Sequence, residues 1–86
     1  MKFYINNIEN ASSWNKRGKA VLAKYGTMLK VVIKGLDKTQ MIRITDIYAH
    51  EYDCEMYYLD GTFDYHTYIY PNQKEELENF LKDLQN

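Results

Sequence analysis

The dipeptide Asp60-Gly61 constrains the fold of this chain more than any other feature of its sequence. A type I′ hairpin turn needs positive φ at both central residues, and glycine supplies one of them without steric cost. A two-residue turn at this point fixes which residues of the two flanking strands lie opposite each other. The predicted pairs, counted outward, are Leu59 with Thr62, Tyr58 with Phe63, Tyr57 with Asp64, Met56 with Tyr65, Glu55 with His66 and Cys54 with Thr67.

This register sorts the hairpin into two faces, because successive side chains of a strand point to opposite sides. The apolar face, which we expect to join the core, carries Cys54, Met56, Tyr58, Phe63 and Tyr65. The polar, tyrosine-rich face carries Asp53, Glu55, Tyr57, Asp64, His66 and Tyr68, with Tyr70 beyond. Pro71 ends the second strand, since it has no backbone N–H to donate.

Two amphipathic segments predict helices near the two ends of the chain. The first, Ser13–Tyr25, has an apolar stripe, a basic exposed side and Gly26 at the position of a left-handed C-cap. The second follows Pro71, with Asn72 and Glu75 spaced like a capping box. Its stripe at i, i+3, i+4 and i+7 is Leu77, Phe80, Leu81 and Leu84.

A second hairpin is predicted between these elements. Leu29, Val31 and Ile33 alternate with other residues in Met28–Gly35, and Ile42 and Ile44 share a face in Gln40–Tyr48. A turn at Asp37-Lys38 would join the two strands. A short strand at Lys2–Ile5 precedes the first helix.

The fold class that follows is α+β, in the order β-α-β-β-β-β-α. The sheet is antiparallel with four to five strands, made of two hairpins plus the short N-terminal strand, and the two helices pack on one of its faces. The 86 residues are enough for a single core, so we expect residues 1–86 to form one small domain.

The charges are sorted by half, although the net charge is only −1. Up to Arg43 there are nine basic and two acidic residues, and from Ile44 onward there are two basic and ten acidic residues. Such an asymmetry bears on partners and association rates rather than on the fold. The sequence therefore predicts two surfaces of opposite charge.

Enzymatic and metal-binding functions find little support in the sequence. His66 oriented by Glu55, with Asp64 or Asp53 as a second carboxylate, is the one candidate for general base catalysis. No phosphate-binding loop or nucleophile motif is present, and a flat sheet is a poor active site. His50, Cys54 and His66 form no ligand set, because the register puts His66 and Cys54 on opposite faces. We predict no enzyme activity, no cofactor and no metal.

The single cysteine fits a reducing compartment, and the three apolar residues before Asn6 are too few for a signal peptide or a membrane span. We therefore expect a cytoplasmic protein that does not enter a membrane. Nine tyrosines, with eight of them between Tyr25 and Tyr70, supply large contact area at low entropic cost. This enrichment favours binding to another molecule.

The favoured hypothesis is protein binding through the tyrosine-rich hairpin face, since tyrosine is a preferred interface anchor. The predicted contact residues are Asp53, Glu55, Tyr57, Asp64, His66, Tyr68 and Tyr70. Carboxylates spaced along two strands also imitate a phosphate backbone and suit the basic groove of a nucleic-acid enzyme. In size and composition the chain resembles phage-encoded inhibitors of host restriction or CRISPR nucleases, which implies a competitive blocker. A homodimer that buries the same face is the other outcome.

Nucleic-acid binding is the alternative hypothesis, with phosphates contacted by the basic helix and the first hairpin. The residues that would carry it are Lys16, Arg17, Lys19, Lys24, Lys30, Lys34 and Arg43. The layout of helices and sheet is similar to that of double-stranded-RNA-binding domains, a resemblance of fold alone.

Overall fold

The computed structural model describes residues 1–7, Ala20, 23–48 and 55–85. Its described elements are β1 (Lys2–Asn7), β2 (Leu29–Leu36), α1 (Lys38–Tyr48), β3 (Glu55–Leu59), β4 (Thr62–Ile69), a 3-10 turn (Pro71–Gln73) and α2 (Lys74–Gln85).

The four strands form one antiparallel sheet in the order β1-β2-β4-β3. This confirms the predicted α+β class with a four-stranded antiparallel sheet. The centre of the sheet is the pairing of β2 with β4, which sets Val31 opposite Thr67 and Ile33 opposite Tyr65. Strands β1 and β3 lie at the two edges.

The β3–β4 hairpin has the register that the Asp60-Gly61 turn predicts. Leu59 lies opposite Thr62, and the pairing continues without a shift to Glu55 opposite His66. The φ angles of Asp60 and Gly61 are 53° and 83°, as a turn of this type requires. Local turn chemistry alone was enough to fix this part of the sheet.

The predicted strand at Gln40–Tyr48 is wrong, because this segment belongs to helix α1. Its N-terminus is a reciprocal capping box in which Asp37 and Gln40 each donate a backbone N–H to the other's side chain, at 3.0 and 2.8 Å. The dipeptide Asp37-Lys38 is therefore a helix start rather than a hairpin turn. Strand β2 consequently pairs with β1 and β4.

Helix α1 buries a face that the strand interpretation did not identify. Ile44 is fully buried and Met41, three residues earlier, packs against the core, whereas Ile42 and Ile47 are exposed. An offset of three residues joins positions on one side of a helix, while the alternation of Ile42 and Ile44 is a strand pattern. The β-branched residues of this segment favoured the wrong interpretation.

Both described helices cover the same face of the sheet and share one hydrophobic core. The buried side chains of that core are Leu29, Val31, Ile33, Leu36, Ile44, Tyr65, Ile69, Leu77, Leu81 and Leu84. The stripe predicted for the C-terminal helix is confirmed, with Leu77, Leu81 and Leu84 buried and Phe80 packed at the margin. The two helices also meet directly, because Gln40 Nε2 donates to the Leu84 carbonyl oxygen at 3.2 Å.

Helix α2 starts differently from the prediction. The chain leaves β4 through the 3-10 turn, and Gln73 Oε1 accepts the backbone N–H of Tyr70 at 2.9 Å. The residue that reaches back over the first turn is therefore Gln73, and not Glu75 as the spacing from Asn72 suggested.

Most of the predicted N-terminal helix, Ser13–Tyr25, lies outside the described residues. Ala20 and residues 23–25 are helical. Gly26 follows with φ of 81°, which agrees with the predicted left-handed C-cap.

A β-bulge interrupts β2 near its end. The pairing with β4 shifts between Ile33 and Leu36, and Gly35 has φ of 76°. Asp64 Oδ1 accepts the Gly35 N–H at 3.1 Å, which satisfies a donor that the ladder leaves over. The extra residue turns Leu36 inward, where it is fully buried.

Candidate functional site

The face of the sheet opposite α1 and α2 holds most of the predicted site residues that the structure describes, and we call it the outer face. The alternation of each strand and the cross-strand register assign its members. They are Lys2, Tyr4 and Asn6 of β1, Lys30, Val32 and Lys34 of β2, Asp64, His66 and Tyr68 of β4, and Glu55, Tyr57 and Leu59 of β3.

The outer face is divided into a basic half and an acidic half. The basic half is formed by β1 and β2 and carries Lys2, Lys30 and Lys34. The acidic half is formed by β4 and β3 and carries Asp64 and Glu55. The pairing of β2 with β4 thus puts on one face charges that the sequence analysis assigned to separate surfaces.

His66 lies where the two halves meet, opposite Val32 on one side and Glu55 on the other. Burial lowers its pKa below the ordinary value, and the positive charges of Lys30 and Lys34 lower it further. The carboxylates of Glu55 and Asp64 act in the opposite direction without reversing the shift. The imidazole is therefore mainly neutral at pH 7.

Tyr57 completes an aromatic contact at this position. Its ring meets the His66 ring edge-on, with 5.2 Å between centroids and 71° between planes. Its hydroxyl donates to Glu55 Oε2, two residues earlier on the same face.

The carboxylates of the acidic half make contacts that stabilise the sheet. The Glu55 carboxylate accepts a hydrogen bond from the Tyr57 hydroxyl. The Asp64 carboxylate accepts a hydrogen bond from the backbone N–H of Gly35, in the β-bulge. The geometry predicted for a general base, with His66 across from Glu55, is present as a strand pairing. The hydrogen bonds described for both carboxylates fit structural roles.

The structure brings Glu55, Tyr57, Asp64 and His66 together, as the hairpin register predicted. Tyr70 lies beyond the end of β4 and is exposed. Tyr68, however, is only 3% exposed, so it is no accessible anchor. Asp53 lies outside the described residues.

The sequence analysis did not predict the run of exposed large apolar side chains in β3. Met56, Tyr57, Tyr58 and Leu59, which are consecutive in edge strand β3, are 41%, 49%, 67% and 66% exposed. Met56 and Tyr58 point to the helix side, where we expected them in the core. Tyr58 finds only partial cover there, with its ring 4.9 Å from that of Phe63. The signal in the sequence is the run of four large apolar residues beside the turn.

The residues predicted for nucleic-acid binding are separated by the fold. Lys30 and Lys34 belong to the outer face, whereas Arg43 lies on α1, with its guanidinium 5.8 Å from the centroid of the Phe80 ring. Lys24 lies with its ammonium 5.0 Å from the Tyr25 ring centroid. The other three, Lys16, Arg17 and Lys19, lie outside the described residues. The predicted first hairpin does not form, because its second strand is helix α1, so Lys30 and Lys34 lie beside β1, where Lys34 is opposite Lys2, rather than beside Arg43.

Two further features are absent from the described part of the chain. No group of three or more His, Cys, Asp or Glu side chains is placed to hold a metal ion. No helix within it is long and apolar enough to cross a membrane. Compared with known proteins, the chain matches no family model, no curated protein and no solved structure.

Proposed function

We propose that this chain is a non-enzymatic protein-binding module that engages its partner through edge strand β3. The observation that carries the proposal is the exposure of four consecutive large apolar side chains, Met56 to Leu59, at the edge of the sheet. Exposed apolar clusters on folded domains commonly mark protein interaction sites, and sheet edges are templates for strand pairing.

Strand β3 offers contacts on both of its faces. Tyr57 and Leu59 lie on the outer face, and Met56 and Tyr58 lie on the helix side. A partner strand added beside β3 would use main-chain hydrogen bonds for affinity and would contact both sets of side chains. Tyr57 and Tyr58 are the anchors we expect to dominate, because tyrosine is enriched among interface residues that cost most when truncated.

A more specific form of the proposal is a small inhibitor of the phage-encoded type. It would act in the cytoplasm of the host cell and block the basic groove of a restriction or CRISPR nuclease with its acidic, tyrosine-rich half. The support for this form is that Glu55 and Asp64 flank the exposed ring of Tyr57. Lys30 and Lys34 on the neighbouring strand β2 confine the acidic area to β3 and β4.

The proposal is tested by isolating partner proteins and then measuring the binding of each partner to the purified chain. The tagged chain is used to isolate partners from an extract of the organism that encodes it, and the binding of each purified candidate is measured by calorimetry. We expect Tyr58→Ala to weaken binding by about 30-fold or more, the effect of losing an interface anchor. Tyr4→Ala is the matched control, because Tyr4 is also about half exposed but belongs to the opposite edge strand.

Two results would contradict the proposal. One is a partner that binds the Tyr58→Ala variant as tightly as the original chain. The other is sedimentation equilibrium of the chain alone showing a dimer that Tyr58→Ala dissociates, since β3 would then be the interface between two copies. For the inhibitor form, loss of nuclease cleavage in the presence of the chain, restored by Tyr58→Ala, is the expected result.

A further inference from the structure

The register of the β3–β4 hairpin determines which main-chain groups of β3 are used within the sheet. Leu59 and Thr62 flank the two-residue turn, and the flanking pair of a type I′ hairpin exchanges both of its main-chain hydrogen bonds. Hydrogen-bonded and non-hydrogen-bonded pairs alternate along an antiparallel ladder. Tyr57 and Glu55, two and four residues before Leu59, therefore also direct their N–H and C=O groups to β4.

The other two residues of β3, Met56 and Tyr58, direct their N–H and C=O groups away from β4. No described strand pairs with β3 on that side. The side chains of both residues are exposed. An extended segment laid antiparallel to β3 would exchange two main-chain hydrogen bonds with each of them. The edge thus offers two donors and two acceptors on residues two positions apart.

The two faces of β3 determine which side chains such a segment would carry. Directly opposite residues of an antiparallel pair lie on the same face. The two residues opposite Met56 and Tyr58 would therefore meet exposed apolar side chains on the helix side. The residues that alternate with them would lie along the outer face of the sheet. A segment with apolar residues at every second position fits this edge.

The β3–β4 hairpin is acidic, which determines the residues at the alternate positions. Its charged residues at neutral pH are Glu55, Asp60 and Asp64, and the sequence contains no lysine or arginine between Arg43 and Lys74. Asp60 is exposed in the turn, at the end of β3. The hydrogen bonds that Glu55 and Asp64 accept from the Tyr57 hydroxyl and the Gly35 N–H come from neutral groups. A cationic segment is therefore complementary to this edge in charge.

We propose that β3 binds an extended segment of a protein partner in which apolar residues alternate with lysine or arginine. The segment lies antiparallel to β3, bonds to the main chain of Met56 and Tyr58, and places its apolar side chains on the helix side. Its cations lie on the outer-face side, beside the acidic hairpin. This inference rests on the proposed function, because it names the chemistry of the partner at the same edge.

Fluorescence anisotropy of labelled synthetic peptides, titrated with the whole chain, tests the inference. Peptides of about nine residues, at about 3.4 Å per residue, extend past both ends of the five-residue strand β3. One peptide alternates valine with lysine, a second alternates valine with glutamate, and a third has the composition of the first in two blocks. We expect the alternating valine–lysine peptide to bind with a dissociation constant below about 1 mM, and the other two at least about tenfold more weakly.

Methylation of selected peptide nitrogens tests the main-chain contacts. In the proposed register the N–H groups of the valines point to β3, whereas those of the lysines point to solvent. N-methylation of every valine should therefore lower affinity by about tenfold or more, because it removes the donors. N-methylation of every lysine is the matched control and should change affinity by less than about threefold.

A variant of the chain tests the charge complementarity. Asp60→Asn/Asp64→Asn removes two negative charges, while asparagine before glycine still suits the turn and an amide oxygen can still accept the Gly35 N–H. We expect affinity for the valine–lysine peptide to fall by about threefold or more and to depend less on salt. Glu75→Gln/Glu76→Gln, which removes two exposed charges from α2, is the matched control and should leave binding unchanged. Circular dichroism melts exclude loss of fold as the cause.

Several results would overturn the inference. These are no binding of the valine–lysine peptide at about 1 mM, equal affinity for the glutamate or block peptide, and equal losses from the two N-methylations. A dimer of the chain alone that Tyr58→Ala dissociates would also overturn it, since a second copy would then occupy the edge. A captured partner that Tyr58→Ala releases, with no peptide bound, would reject this inference and leave the proposed function standing. Peptide binding in the predicted pattern supports the inference even if capture yields no such partner, so the two failures are distinguishable.

Discussion

Strands β2 and β3 are both rich in large apolar residues, yet those of β2 are largely buried and those of β3 are largely exposed. In β2, Val31 and Ile33 are fully buried. In β3, Tyr58 and Leu59 are about two-thirds exposed. The difference is position, because β2 lies between two strands beneath the helix layer, whereas β3 is an edge strand that the described helices leave uncovered.

This contrast separates stability from binding. A strand that is paired on both sides and covered by helices contributes to the hydrophobic core, where burial of apolar area stabilises the fold. An equally apolar strand at an edge contributes little to that core and retains its surface for another molecule. Apolar composition therefore identifies strands, and the neighbours of a strand decide its role.

The largest expected effect tests the contrast directly. Ile33→Ala should lower the free energy of unfolding by about 3 kcal/mol, because it removes buried methyl groups and leaves a cavity. Leu59→Ala, at an exposed position of β3, should change it by no more than about 0.5 kcal/mol. Urea denaturation followed by circular dichroism measures both. Similar losses in the two variants would show that Leu59 is covered and would remove the contrast.

The bulge of β2 gives the next largest effect. Gly35→Ala should destabilise the protein by about 1–2 kcal/mol, because the φ of 76° is strained for a residue with a Cβ atom. Space is available, since the nearest atom to that Cβ, the Cα of Met1, is 3.7 Å away. Gly26→Ala, with φ of 81° and no bulge, is the control for strain alone. A neutral Gly35→Ala would mean that the bulge rearranges freely.

A substitution in β4 should act in the stabilising direction. Thr67 is 2% exposed, and its hydroxyl oxygen has no hydrogen-bond partner in the described structure. Thr67→Val replaces that hydroxyl with a methyl group of similar size and should raise the free energy of unfolding by about 1 kcal/mol. Thr62→Val is the control, because its exposed hydroxyl donates to the Leu59 carbonyl at 3.1 Å. A loss of stability in Thr67→Val would indicate a bonded hydroxyl.

The smallest effect concerns the junction of the two halves at His66. Its pKa is lowered in the folded protein by burial, Lys30 and Lys34, against Glu55 and Asp64. The unfolded chain therefore binds the proton more readily, and stability should fall as pH drops below the ordinary histidine value of about 6.5, levelling off below the folded pKa. His66→Gln should make unfolding free energies less dependent on pH between 5 and 7.5. An unchanged pH dependence would assign it to other groups.

Local interactions account for the parts of the fold that the sequence predicted. The Asp60-Gly61 turn determines five consecutive pairs of the β3–β4 hairpin, and the i, i+3, i+4, i+7 stripe determines the buried side of α2. Both signals act over a few residues and depend little on the rest of the chain.

Helix α1 shows where local signals compete. The capping pair Asp37 and Gln40 was present in the sequence, and it favours a helix. The alternation of Ile42 and Ile44 favours a strand. The outcome is a helix because Met41 and Ile44 then reach the core together, which is a tertiary effect.

The sequence by itself determined the α+β class, the hairpin register and the sharing of one face by Glu55, Tyr57, Asp64 and His66. Only the tertiary structure decided that β2 pairs with β4, and with it that Lys30 and Lys34 join that face and that β3 remains an exposed edge. The physical reason is the sequence separation of the residues that interact. Turns and helix stripes are determined by residues that are near one another in the sequence. The order of strands depends instead on pairings such as Asn7 with Leu29 and Leu29 with Ile69, between segments far apart in the sequence. Their formation is decided by the packing of the whole core.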